Sequence, residues 1–268
     1  MRVFPALVAA AALAGAAPAV RAQDSISTAA AVQHLSTREA ADFSKQIEDD
    51  LASKGARVAL VFRTGRPRAK LPQGIAYTHG ALWVYRDIRT AGGEVAPGYA
   101  VYNLYAGDGK AWPGTESRLV QDFPFDFTRG SAVDDVAVIV PSPEMQRRML
   151  GVIDSADYAK LHNASYSLIA NPLSDKHQNC NGFMLDVIAA AAWETRDRAQ
   201  IRANERAHYT PTVVKAGPMM RLFGPMVDGR LKIDDQSGPI QTATYESVAA
   251  FMKANGLLQA AYSLDFKR

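Results

Sequence analysis

Cysteine is almost absent from the sequence: of 268 residues only Cys180 is one. That excludes an intrachain disulfide and any zinc site built on paired thiolates. An excess of charge of either sign is missing too, since 30 basic residues stand against 27 acidic ones. Nothing in that balance points to nucleic acid. Beyond Val20 no stretch reaches the ~20 continuous apolar residues of a membrane helix. Gly-x-Ser-x-Gly, Ser-x-x-Lys and phosphate-loop patterns are lacking as well, which removes the familiar serine-hydrolase and nucleotide-binding signatures.

The amino terminus supplies the strongest local pattern. Met1-Arg2 is followed by an apolar run from Val3 to Val20 and then by Val20-Arg21-Ala22, the order of a cleavable secretory signal. Residues 1–22 are therefore expected to be removed, leaving the protein periplasmic or secreted, with no membrane span after cleavage. A lipid anchor would need a cysteine at the junction, and Cys180 is far from it. The remaining residues, 23–268, suffice for one large domain with a substantial core. Without Arg2 and Arg21 the chain has 28 basic and 27 acidic residues.

Periodicity and punctuation predict a mixed α+β chain. Ala40, Phe43, Ile47 and Leu51 repeat at helical spacing behind Ser36 or Thr37 as a cap. Strands are expected over Val58 to Phe62, Ile75 to Tyr85, Tyr99 to Tyr105 and Val136 to Val140, with a basic, turn-rich loop from Thr64 to Gln73. Between the third and fourth strands, Asp108-Gly109, Trp112-Pro113 and Phe123 to Phe127 read as loop with extended pieces. Pro141-Ser142-Pro143 opens a helix to about Ile153. After an extended entry at Tyr166 and a polar loop, the apolar stretch from Phe183 to Trp193 is a helix that Asn179 or Asn181 can cap, which puts Cys180 in its first turn, with a charged continuation to about Arg206. A strand near Leu231 to Ile233, a helix from Tyr245 to Ala254 and a final strand from Leu258 to Leu264 complete the chain. Met219, Met220, Leu222, Phe223 and Met226 form an apolar stretch that either lines a groove or packs in the core.

A lone thiol in an exported chain is either buried and inert or kept for its chemistry. Its place in the first turn of a helix favours chemistry, because unpaired N–H groups and the helix dipole stabilise a thiolate and offer donors to an oxyanion. A base is then required. His34, His162 and His208 sit among polar neighbours and are expected at the surface. His177, three residues before the thiol, either contacts it or faces water; the His177-x-x-Cys180 spacing alone makes a poor metal site. His79 is the candidate base, since it lies in an apolar strand with Ala81, Trp83 and Tyr85 on its face and Gly80, Leu82 and Val84 on the other.

The segment His79-Gly80-Ala81-Leu82-Trp83-Val84 resembles the histidine strand of the papain-like NlpC-type superfamily. Asn179-Cys180-Asn181-Gly182-Phe183 resembles the Asn-Cys-x-x-Phe helix start of its circularly permuted branch, which includes the lecithin:retinol acyltransferase-like proteins. Histidine before cysteine is the permuted order. The whole pattern is also similar to an uncharacterised family of exported bacterial proteins. The resemblance implies a permuted papain-like α+β fold, an antiparallel sheet with the Cys180 helix packed against it. It further implies thiol acyl transfer on an amide or ester of cell-wall peptide or lipid, without a cofactor or metal. Cys180 would be the nucleophile, His79 the base and Asn103, on the following strand, the orienting residue. Gln178 or Asn179 would support the oxyanion. The alternative is a non-catalytic envelope binding or structural protein on the same fold.

Overall fold

A computed structural model describes residues 34–89, 92–106, 116–215 and 230–268. The expected signal peptide, the Asp108-Gly109 and Trp112-Pro113 turns and the Met219 to Met226 stretch lie outside the described residues. The architecture is α+β, a six-stranded antiparallel sheet with, among the described residues, seven α-helices around it.

Strands β1 (Val58–Arg63), β2 (His79–Arg89), β3 (Val95–Ala106), β4 (Ser117–Asp122), β5 (Asp135–Pro141) and the carboxy-terminal strand, Leu258–Asp265, form the sheet. From one edge to the other the order is β4, β3, β2, β1, β5 and the carboxy-terminal strand, every pair antiparallel. A separate two-stranded ribbon pairs β6 (Thr212–Val213) with β7 (Gln241–Thr242), so the carboxy-terminal strand is β8.

Side-chain alternation gives the central strands two buried faces. Ala59, Val61, Ala81, Trp83, Val101 and Val138 meet α1 (Thr37–Ser53) and Phe127 of α2 (Pro124–Arg129). Leu60, Phe62, Leu82, Val84 and Ile139 meet α3 (Pro143–Ile153), α5 (Cys180–Ala192) and α7 (Tyr245–Ala254). The short α4 (Asp157–Lys160) and the longer α6 (Arg198–His208) complete the helices. Ser36 caps α1 in a capping box with Glu39, and Ser142 accepts from Met145 N at the start of α3, each satisfying N–H groups that a helix start leaves unpaired.

Four expectations are corrected. The second strand begins at His79, not Ile75, because Ile75, Tyr77 and Thr78 instead line a cavity. Phe123 to Phe127 is the start of a helix, with Pro124 where its missing N–H costs nothing. The charged continuation of α5 is a separate helix: the chain turns at Glu194 (φ 49°) and restarts under an Asp197 cap. Residues 231–233 form no strand; neighbouring backbone groups of this stretch bond instead to the loop before α5, Leu168 N to Arg230 O and Ser167 Oγ to Lys232 O.

Candidate active site

Asn179, in extended conformation, accepts from Gly182 N through Oδ1 at 2.8 Å, so Cys180 is the first helical residue of α5. Every residue from Cys180 to Ala191 is buried. A helix without a polar face belongs in a core, and this one seats against β2 at Gly80. A Cβ on Gly80 would stand 2.3 Å from Met184 Cε and 2.8 Å from both Asn181 Oδ1 and Phe62 Cδ1. Close approach explains the small residue after the histidine.

That seating leaves Cys180 3 % exposed, with its sulfur 3.7 Å from Asn181 Oδ1. The backbone N–H groups of Gly80, Asn181 and Cys180 and the charge of Arg63 pull its pKa down, but burial outweighs them and pushes the thiol above its ordinary value. The expectation of a helix-stabilised thiolate is thereby corrected. The backbone N–H groups lower the pKa as anticipated, and desolvation exceeds them.

His79 is fully buried. Its Nε2 lies 2.9 Å from Asn103 Oδ1, and Asn103 Nδ2 donates to Asp122 Oδ2 at 3.0 Å. The same carboxylate oxygen accepts the Tyr105 hydroxyl at 2.7 Å. An amide oxygen only accepts, so the network assigns the hydrogen to Nε2 and the lone pair to Nδ1. Nδ1 is buried and meets no hydrogen-bond partner. The ring stacks on Tyr105 with centroids 5.2 Å apart and lies 5.7 Å from Phe127. Burial first, and the Arg63 charge second, lower its pKa to about 3.

Thus His79 and Asn103 are brought together, while Cys180 reaches the same end of β2 from the other core. No hydrogen bond joins thiol to imidazole among the described residues. The sulfur faces the Gly80 N–H, and the imidazole turns toward Tyr105 and Phe127. Arg63, paired across β1 with His79, is the residue that sequence reasoning missed. It is fully buried, donates to Gly130 O and lies over the Phe127 ring at 5.2 Å. The only hint was a basic residue closing an apolar strand.

The side chain of Gln178 is committed to bonds within the fold. Its Nε2 donates to Leu161 O at 3.0 Å and Asp186 Oδ2 at 2.6 Å, and its Oε1 accepts from Asn163 N at 2.8 Å. Asn179 likewise uses its amide to bind Leu168 O and Thr242 Oγ1, at 3.3 and 3.2 Å. Neither side-chain amide is free to receive a substrate. His177 does neither of the things expected of it: it is buried, with Nδ1 2.8 Å from Ser165 Oγ and Nε2 2.6 Å from Asp234 Oδ1. His34 and His208 are exposed and His162 is half-buried, 2.9 Å from Ser117 Oγ.

Beneath α5, Arg202 joins two buried carboxyls, Asp186 at 3.2 Å and Glu205, and reaches Asp175 at 3.1 Å. Two acids sharing one buried cation cannot both ionise cheaply. Burial, followed by the Asp186 charge, pushes Glu205 up to about 9.

Cys180 opens onto a cavity of about 230 Å³ walled by the β1–β2 loop, Tyr166 to Ile169 and the stretch around β7. Asn181, Thr78 and Thr244 are polar points in a lining that is mainly apolar. Among the described residues no helix is long and apolar enough to cross a membrane.

Fold and site together define an α+β protein in which a sole thiol, at a helix start, borders a cavity, while a buried histidine–asparagine pair lies at the same end of β2. Residues 50–252 match the model of a family described as "Uncharacterized protein conserved in bacteria (DUF2145)", and the chain belongs to that family. Comparison with curated proteins and with solved structures gives no match.

Proposed function

We propose that this protein is an exported thiol hydrolase or acyltransferase, with Cys180 as nucleophile, His79 as general base and Asn103 as the residue that orients the imidazole. The observation carrying this reading is the His79–Asn103 bond at 2.9 Å, which commits Nε2 and leaves Nδ1 unpartnered in a buried site one residue from the N–H that faces the sulfur. An unpaired buried lone pair is costly as a purely structural feature and useful as a base.

The resting forms are the neutral thiol and the neutral imidazole, since burial disfavours charge on both. Proton transfer therefore accompanies attack. In this structure the thiol and the imidazole approach the end of β2 from its two cores, so this reading requires substrate entry to bring them into contact. The sulfur adds to an amide or ester carbonyl, its proton passes to Nδ1, and His79 returns that proton to the departing amine or alcohol. Water or a second alcohol, deprotonated by His79, then releases the acyl group from sulfur. Backbone N–H groups at the α5 start are the available oxyanion donors.

The chain order His79, Asn103, Cys180 and the packing of α5 on an antiparallel sheet support the permuted papain-like reading. The Met1 to Ala22 pattern supports export to the periplasm or beyond, where cell-wall peptide and lipid are candidate substrates by analogy of fold. A non-catalytic envelope binding or structural role has its own support in the raised thiol pKa and the missing thiol–imidazole bond.

The deciding experiment is incubation of the mature chain with 4-nitrophenyl butyrate, followed by intact-mass and peptide mass spectrometry. A butyryl adduct on Cys180 that forms at least ~10²-fold more slowly in His79→Gln is the expected result. No adduct, or equal rates in the two proteins, would overturn the catalytic reading in favour of the binding role.

A further inference from the structure

Among its described residues, the cavity beside Cys180 carries charge of one sign. Of the described residues that line it, Arg66 and Lys70 are cations and none is acidic. Both come from the loop between β1 and β2 and are exposed. Their neighbour Arg68 is already held by Asp135 through two bonds of 2.7 and 2.6 Å, whereas neither Arg66 nor Lys70 has an acidic partner among the described residues. The remainder of the wall is mainly apolar, with Leu168, Ile169, Ile240 and Leu231 among it.

We infer that the cavity takes a short apolar acyl chain ending in an anionic group, carboxylate or phosphate, with the anion at Arg66 and Lys70. This rests on the nucleophilic reading of Cys180 only for its orientation, in which the reacting carbonyl is the end of the chain nearer the sulfur. Charge complementarity selects the ligand. A neutral chain of equal length gains only the apolar contact, and a cationic one meets two like charges. A charge-assisted hydrogen bond to either cation distinguishes anion from alcohol by about tenfold. Because both cations are exposed, salt weakens the preference.

The test is isothermal titration calorimetry of the mature protein at low salt with octanoate, octyl phosphate, 1-octanol, octyltrimethylammonium and inorganic phosphate. Octanoate or octyl phosphate binding about tenfold tighter than octanol is expected, with the tighter of the two identifying the anion. Octyltrimethylammonium should bind more weakly than octanol, and inorganic phosphate more weakly than the tailed anions. An Arg66→Gln, Lys70→Gln double variant should lose the anion preference and retain octanol binding. Equal affinity for octanoate and octanol, or a preference that survives the double variant, would overturn the inference. These readings need no turnover. Anion preference without acylation of Cys180 supports the ligand and defeats the enzyme; acylation without anion preference does the reverse.

Discussion

Acid should destabilise this protein through His79 in a way that one substitution isolates. The folded imidazole has a pKa of about 3 against an ordinary value of 6.5, because it is fully buried and faces the Arg63 charge. Between those values the unfolded chain binds a proton that the folded protein refuses. The contribution is therefore fully present above 6.5 and is lost as the pH falls toward 3. Over the span from pH 7 to 4.5, linkage amounts to about 2 to 3 kcal/mol. His79→Gln removes the titration and keeps an N–H donor for Asn103, so any fixed cost of the substitution cancels when each protein is compared with itself. The assay is urea unfolding followed by intrinsic fluorescence at pH 7, 5.5 and 4.5. Wild type should lose about 2 to 3 kcal/mol more than the variant between the outer pH values. Parallel profiles would refute the reasoning, since they would mean that the folded protein admits the imidazolium.

Two substitutions test the packing around the site. Gly80→Ala should cost about 1 to 3 kcal/mol by overpacking, read as a lower thermal midpoint: Met184 Cε can swing aside, but Phe62 is fully buried and Asn181 is held by its 3.0 Å bond to Ala243 O. An unchanged midpoint would mean that α5 does not rest on β2. Glu205→Gln should cost less than about 1 kcal/mol at pH 7, because the side chain is already neutral with its pKa pushed up to about 9. A loss above about 2 kcal/mol in chemical denaturation would show an ionised Glu205 in partnership with Arg202.

Where a local signal and the tertiary environment agree, the sequence was readable. Helix α1 declares itself through Ser36, Glu39 and the Ala40 to Leu51 spacing, and all four apolar positions are buried. Pro143 after the Ser142 cap marks α3, and Asn179 marks α5. Alternation grouped His79 with Ala81 and Trp83, but only the observed β2–β3 register, with Trp83 opposite Val101, puts Asn103 on that face within reach of His79. What was hidden depends on contacts remote in sequence. The amide of Gln178 looked available beside the thiol, yet Leu161, Asn163 and Asp186 occupy it. Helix position alone suggested an acidic thiol, because the opposing effect is the burial of Cys180 against parts of the chain distant in sequence, Gly80 among them. The Arg63 side chain was invisible for the same reason: its site exists only because Gly130 and Phe127 arrive beside it.

The trio of Arg202, Asp186 and Glu205 has a calorimetric consequence. With Glu205 protonated in the folded protein at neutral pH and ionised in the unfolded chain, folding draws a proton from the buffer and unfolding returns it. The heat of unfolding then includes the buffer's own heat of ionisation. Tris and phosphate would give different apparent enthalpies for an identical transition, and their difference would count the proton held beneath the helix that carries the thiol.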